Sequence, residues 1–147
     1  MKTRNFRRHG SCHCGNIAFT LDWPEEGPLP LRQCDCSFCA KHSPVYFGRP
    51  NASLSVTVRD PSALSKYEFG TRTAQFHCCA RCGVFVFATS VIADRVYAVL
   101  NAKTLDGAVP FTIKPVDFDG EAVDDRLARR GASWIPDVKI DPPVAAS

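Results

Sequence analysis

Eight cysteines fall into three tight clusters, and their spacing limits what this chain can become more than any other feature. The clusters are Cys12-His13-Cys14-Gly15, Cys34-Asp35-Cys36-Ser37-Phe38-Cys39 and Cys78-Cys79-Ala80-Arg81-Cys82-Gly83. Eight is twice four, the coordination number of a closed structural zinc site. Two closed sites would use every cysteine and leave no open metal position. Any other division leaves a free thiol or an open metal. The arithmetic of the clusters therefore separates a scaffold from a candidate enzyme.

Cys79 and Cys82 form a C-x-x-C-G knuckle. Two sulfurs about 2.3 Å from one tetrahedral zinc lie less than about 4 Å apart, a separation that a tight turn gives residues i and i+3. Gly83 supplies the positive φ such a turn needs. Cys12 and Cys14 offer a C-x-C-G half-site. In an extended strand both point to one face, and a bent strand can chelate. A disulfide between them would sit at the strained edge of the allowed geometry. Together the two half-sites predict a four-cysteine structural zinc that pins distant segments, against the alternative of redox or isolated thiols. The middle cluster offers Cys34, Cys36 and Cys39 and then stops. Zinc on three protein ligands keeps a fourth position for water or substrate, as catalytic sites do. Soft thiolates favour zinc over magnesium or calcium. Cys78 is the open question. It can close the second site. It can equally face away from Cys79, since adjacent residues of a strand point to opposite sides, and serve as a small buried hydrophobe.

The remaining sequence reads as one domain over residues 1–147, mainly β. It has 13 valines against 8 leucines, 10 phenylalanines and 11 scattered prolines. Strands are predicted at Asn16 to Leu21, Val45 to Gly48, Leu54 to Val58, Lys66 to Phe69, Arg72 to His77, Val84 to Ala88, Arg95 to Leu100, Phe111 to Phe118 and Ser133 to Ile140. Pro24 to Pro30 reads as a loop. Asp60 and Pro61 are suited to start one helical turn. Glu121 to Arg130 is the one helical stretch, mostly charged, and is read as a surface helix or loop. Short strands joined by Gly, Pro and Asp turns predict small antiparallel sheets held together by metal.

The net charge is +3, and four bases (Lys2, Arg4, Arg7, Arg8) lie in the first ten residues without an acid. The other 137 residues carry 14 basic and 15 acidic groups. The basic excess is thus a short tail over 1–9, expected to fray like residues 141–147. It makes no basic stripe, so nucleic-acid binding is not expected. Arg7-Arg8 is followed by no apolar region of a signal peptide, and the longest apolar stretch, Val84 to Ala93, is half a membrane helix. A cytoplasmic protein without membrane attachment follows as the expectation. In that reducing setting, clustered cysteines favour metal or redox chemistry over disulfides.

Five motifs in order resemble the glutathione-dependent formaldehyde-activating enzyme family, known also through centromere protein V. They are Gly10-Ser11-Cys12-His13-Cys14-Gly15, Cys34-Asp35-Cys36-Ser37-Phe38-Cys39-Ala40-Lys41, Leu64 to Gly70 with Tyr67 and Phe69, Phe76 to Val84, and Asn101 to Gly107. The resemblance spans residues 10 to about 120. It implies a mainly β zinc scaffold similar to methionine-R-sulfoxide reductases and a Rab-GTPase-interacting factor. It implies structural zinc on Cys12, Cys14, Cys79 and Cys82, and catalytic zinc on Cys34, Cys36 and Cys39. The implied activity is that of an S-(hydroxymethyl)glutathione synthase, a carbon–sulfur lyase whose partners are glutathione, or another small thiol, and formaldehyde. Cys78 departs from the family, which more often has an apolar or aromatic residue there. Lys41 and His42, beside Cys39, are the candidates to contact a glutathione carboxylate or shuttle a proton, against a reading as solvated loop residues. Tyr46 and Phe47 are read as core, with pocket lining the alternative. Two rivals remain: a binding module with two closed zinc sites, and a sulfoxide reductase using Cys78 as nucleophile.

Overall fold

The computed structural model describes residues 6–24, 27–107 and 109–143. Among the described residues, eleven strands form two sheets. The first sheet has the order β1-β2-β5-β11, from β1 (Phe6–Ser11), β2 (Ile17–Trp23), β5 (Ser53–Val58) and β11 (Asp137–Asp141). The second runs β10-β3-β4-β9-β8-β7-β6. Its members are β3 (Leu29–Cys34), β4 (Tyr46–Phe47), β6 (Leu64–Tyr67), β7 (Gln75–Cys79), β8 (Phe85–Ile92), β9 (Arg95–Asn101) and β10 (Phe111–Val116). Two helices complete the fold, α1 (Ser37–His42) and α2 (Val123–Ser133). No helix among the described residues is long and apolar enough to cross a membrane.

The strands follow from alternation. In β5, Leu54, Val56 and Val58 are buried while Ser55 and Thr57 are exposed. In β9 and β4 the alternation sorts residues between two cores. Ala98, Leu100 and Phe47 join a cluster with Ile17, Leu21, Leu54 and Val56 from the first sheet. Val99 and Tyr46 join a second cluster with Cys39, Phe85, Ala88 and Trp134. The seven-stranded sheet is therefore covered on both faces, which is why β8 is buried at six consecutive positions, Phe85 to Ser90. Full burial of Phe87 alone contributes about 1.5–3 kcal/mol.

Several expectations are corrected. The sheets are mixed rather than antiparallel: β10 pairs with β3 in parallel, and β11 with β5. The basic segment is no frayed tail from Phe6 onward, because β1 pairs with β2 from Phe6↔Trp23 to Ser11↔Ala18. The Arg7 Nε lies 2.9 Å from the Asp22 carboxylate across the pair. Lys2 and Arg4 lie outside the described residues. Gly10 is required by space. A Cβ there would overlap the Phe19 ring and the Thr104 carbonyl, which the Asn101–Gly107 turn docks against β1. The strand expected from Ser133 starts only at Asp137, since α2 continues to Ser133. Asp141 ends β11 rather than a tail, and residues 144–147 lie outside the described residues. Residues 25 and 26 of the expected proline-rich loop also lie outside them, and β3 already begins at Leu29. The helical turn at Asp60 forms as expected, with its carboxylate accepting from the Ser62 N–H at 3.0 Å and Pro61 opening the turn.

Candidate metal centres and cavity

Two turns bring the first sulfur group together. Cys12 and Cys14 follow β1, and Cys79 and Cys82 span the β7–β8 connection. The four sulfurs lie within 4.8 Å of one another. Cys14 Sγ is 3.8 Å from Cys12 Sγ and 3.5 Å from Cys79 Sγ. Tetrahedral ligands at about 2.3 Å from a zinc would be about 3.8 Å apart, so the donor set fits one such ion. Disulfide sulfurs would be about 2.05 Å apart, and all eight cysteines are free thiols. Backbone amides already point at these sulfurs. Ile17 N–H donates to Cys12 Sγ at 3.3 Å, and Cys82 N–H to Cys79 Sγ at 3.5 Å. Such donors favour the thiolate form. Gly15 and Gly83 take φ of 84° and 80°, as turns after each half-site require. Burial pushes the Cys12 thiol up to about 11. Cys82 is pulled down to about 6 despite its partial burial, by the backbone amides of Cys14 and Val84 and the thiols of Cys79 and Cys12.

The second group sits on the other face of the large sheet. Cys34 ends β3, Cys36 caps α1, and Cys39 lies in its first turn, with sulfurs within 4.8 Å of one another. The Cys36 sulfur accepts the Cys39 N–H at 3.4 Å. α1 stops at Ser43, whose φ is 52° and whose N–H bonds the Cys39 carbonyl at 2.6 Å. The neighbouring Cys39 thiol draws Cys34 down to about 6, while Cys34 and burial raise Cys39. The Tyr46 hydroxyl is 3.0 Å from Cys39 Sγ and buried with it. Once that sulfur is a thiolate, the hydroxyl is the donor. Burial, then the neighbouring Cys39, holds the Tyr46 hydroxyl well above its ordinary range.

Cys78 is not part of either group. Cys79 packs in the first core and Cys78 against the second, as alternation in β7 dictates. Burial raises its thiol pKa, then the charge of Cys79.

A cavity of about 210 Å³ opens beside Cys34, Cys36 and Cys39. Phe69, Phe76 and Trp134 give it apolar walls, and Arg32, Arg126, Arg129 and Arg130 line it with charge. Lys41 and His42 do not line it; both are exposed on the last turn of α1, where His42 stacks on Phe38 at 4.4 Å. His13 is exposed. His77 is buried, bonded to Thr89 at 2.8 Å and stacked on Phe87 at 4.3 Å. Sequence reading missed the arginines. Arg126, Arg129 and Arg130 have the i, i+3, i+4 spacing of one helix face, the signal that could have found them. Arg32 alternates with the buried Leu31 in β3 and carried no signal.

The fold has a counterpart among solved structures. A structural-genomics crystal structure of a Rhodobacter sphaeroides protein superposes with a TM-score of 0.51 at 28% identity, covering 71% of this chain and 99% of that one. A family model described as glutathione-dependent formaldehyde-activating enzyme matches residues 7–117, a span that holds both sulfur groups. On that match, the chain belongs to the glutathione-dependent formaldehyde-activating enzyme family.

Proposed function

We propose that the protein is a zinc-assisted carbon–sulfur lyase of the S-(hydroxymethyl)glutathione synthase type, which joins a thiol to formaldehyde. The observation that carries this reading is the cavity beside a three-sulfur group from which Cys78 is absent. Cys12, Cys14, Cys79 and Cys82 would hold a structural zinc, and Cys34, Cys36 and Cys39 a second, open one. Zinc on three thiolates would accept a substrate sulfhydryl as its fourth ligand and lower its pKa.

The chain's own residues would orient the reactants. In the reaction the thiol sulfur forms a bond to the aldehyde carbon. The C=O π pair moves to oxygen, which takes up the proton the thiol has lost, so nothing is oxidised or reduced. Because this addition is facile in water, positioning in the cavity is the main contribution the protein can make. Phe69, Phe76 and Trp134 would give the reactants an apolar wall. Tyr46 holds Cys39 in place through its hydroxyl. Lys41 and His42 stand outside the cavity and take no part in this reading. A sulfoxide reductase would need an activated Cys78, whereas burial disfavours its thiolate.

The test is the rate of S-(hydroxymethyl)glutathione formation, followed by exchange NMR, with zinc-loaded protein against the spontaneous rate. An excess rate abolished by Cys36→Ser supports the lyase. The spontaneous rate alone would overturn it, and so would X-ray absorption showing four cysteine sulfurs on both zinc ions.

A further inference from the structure

One wall of the cavity is a loop. Between β6 and β7 the chain turns through residues 68–74, at the tip of a hairpin whose outer strand, β6, is the edge of the large sheet. From this loop Phe69, Gly70, Thr71 and Ala74 line the cavity that also holds Cys34, Cys36 and Cys39. Gly70, Thr71 and Arg72 are exposed to solvent. Gly70 and Arg72 take φ of 61° and 56°. Arg72 is not glycine, and such a conformation persists only where the surroundings hold it. Inside the loop the Arg72 N–H donates to the Phe69 carbonyl at 3.0 Å, and the hydroxyls of Thr71 and Thr73 are 2.8 Å apart.

The polar hold on the tip from the rest of the molecule converges on Thr73. Ser90 Oγ, from β8, donates to the Thr73 carbonyl at 2.7 Å. Arg130 Nη1, from α2, donates to Thr73 Oγ1 at 2.8 Å and to Ser90 Oγ at 3.2 Å. Arg130 is only 6% exposed, its guanidinium lies 5.0 Å from the Trp134 ring, and its Nε has no partner. Among the described residues no carboxylate lies within hydrogen-bond distance of it. Burial draws it down to about 10, so it is still charged at neutral pH. A buried cation given to two neutral hydroxyls is a poor way to build a core, because such a charge is costly to desolvate. It is a good way to hold a loop: a charged donor bonds strongly while water is excluded and is readily hydrated once water enters.

We infer that the β6–β7 loop is a lid on the cavity and that Arg130 is its latch, acting through Thr73 and Ser90. Arg130 is thus a positioning residue: it fixes the wall and touches no reacting atom. Opening would lift Phe69, Gly70 and Thr71 from the cavity and admit solvent to Trp134, which is 7% exposed in the closed form. The latch joins residues 57 positions apart. Thr73 and Ser90 lie inside the segment of the family match, residues 7–117, and Arg130 lies beyond it. The inference concerns access to the cavity and holds whichever reaction the cavity serves.

The experiment reads that access through Trp134. The chain has two tryptophans, and Trp23→Phe removes the one in the first core. In that background, acrylamide quenching of Trp134 is measured on the zinc-loaded full chain with Thr73→Val, Thr73→Ser or Thr71→Val added. Thr73 is half-buried, so its variants do not empty the core. Loss of one hydrogen bond from a charged donor shifts the closed–open balance about tenfold or more, so Thr73→Val should raise the quenching constant at least about twofold. Thr73→Ser keeps the hydroxyl and should quench like the parent. Thr71→Val leaves the Arg130 contact in place and should do the same. Parental quenching in Thr73→Val overturns the inference. So does an equal rise in Thr73→Ser, which would trace the hold to the methyl group, or in Thr71→Val, which would place it within the loop.

Discussion

The two sulfur groups should differ in what they do for stability, and the difference can be worked from chain separation. Cys14 and Cys79 are 65 residues apart in sequence, and one metal would tie their turns together. Treated as a cross-link, closing a loop of that length removes about 4 kcal/mol of chain entropy from the unfolded state. Cys34 and Cys39 are neighbours in sequence, and closing so short a loop is worth only about 2 kcal/mol. The perturbations are Cys14→Ser and Cys36→Ser. Cys14 is exposed, so serine costs no core packing there. Cys36 caps α1 through its sulfur, and serine is a good replacement cap, so helix loss does not confound the comparison. For a chain of this size each kcal/mol is worth about 2–4 °C in melting temperature. Cys14→Ser should therefore lower the transition by about 8–16 °C and Cys36→Ser by about 4–8 °C. The assay is thermal unfolding followed by circular dichroism, with zinc content measured on the same samples. Each variant should lose one zinc. A Cys36→Ser variant that falls as far as Cys14→Ser, with one zinc lost in each, would refute the cross-link argument.

Three further perturbations test individual contacts. Tyr46→Phe keeps the ring and removes the hydroxyl 3.0 Å from Cys39 Sγ; the loss in urea unfolding should be about 1 kcal/mol in metal-free protein and about 1.5–3 kcal/mol when zinc holds the sulfur as thiolate. Equal losses in the two states would show that the hydroxyl does not donate to a thiolate. Gly48→Ala would place a Cβ 2.9 Å from Arg32 Nη2 and Val99 Cγ1 and 3.0 Å from the Ser133 carbonyl, and should cost about 1–3 kcal/mol by denaturant unfolding; a neutral variant would mean the wall of the cavity yields. Glu121 has its carboxyl held below the ordinary 4.5 by hydrogen bonds from Arg129 and the charges of Arg129 and Arg126. Its contribution to stability is present above pH 4.5 and lost as pH falls below that value through the lower folded pKa. The stability gap between wild type and Glu121→Gln should close over that window, and a gap that does not change with pH would contradict the pairing.

What the sequence made legible was whatever depends on neighbours in the chain. Cys34, Cys36 and Cys39 announce a sulfur group because all three donors lie within six residues. For Cys78 the sequence left two outcomes open, and the structure takes the one in which adjacent strand residues face opposite sides, with Cys79 in one core and Cys78 against the other. Asp60 and Pro61 start their turn as local capping rules require. What stayed hidden depends on partners far along the chain. Arg7 looked like part of a solvated tail because Asp22, its partner, comes from the next strand. The parallel pairing of β10 with β3 joins segments about 80 residues apart, and no local pattern encodes it. That pairing also bears on the site. β3 carries Arg32 and Cys34, and the chain leaves β10 through Val116 and Phe118, both on the cavity wall, before it enters α2. The long-range pairing thus brings the arginines of α2 to the cysteines of the middle cluster. Metal-ligand spacing can be read in a window of six residues, but the charge that lines the cavity is set by a strand pairing that only the folded chain reveals.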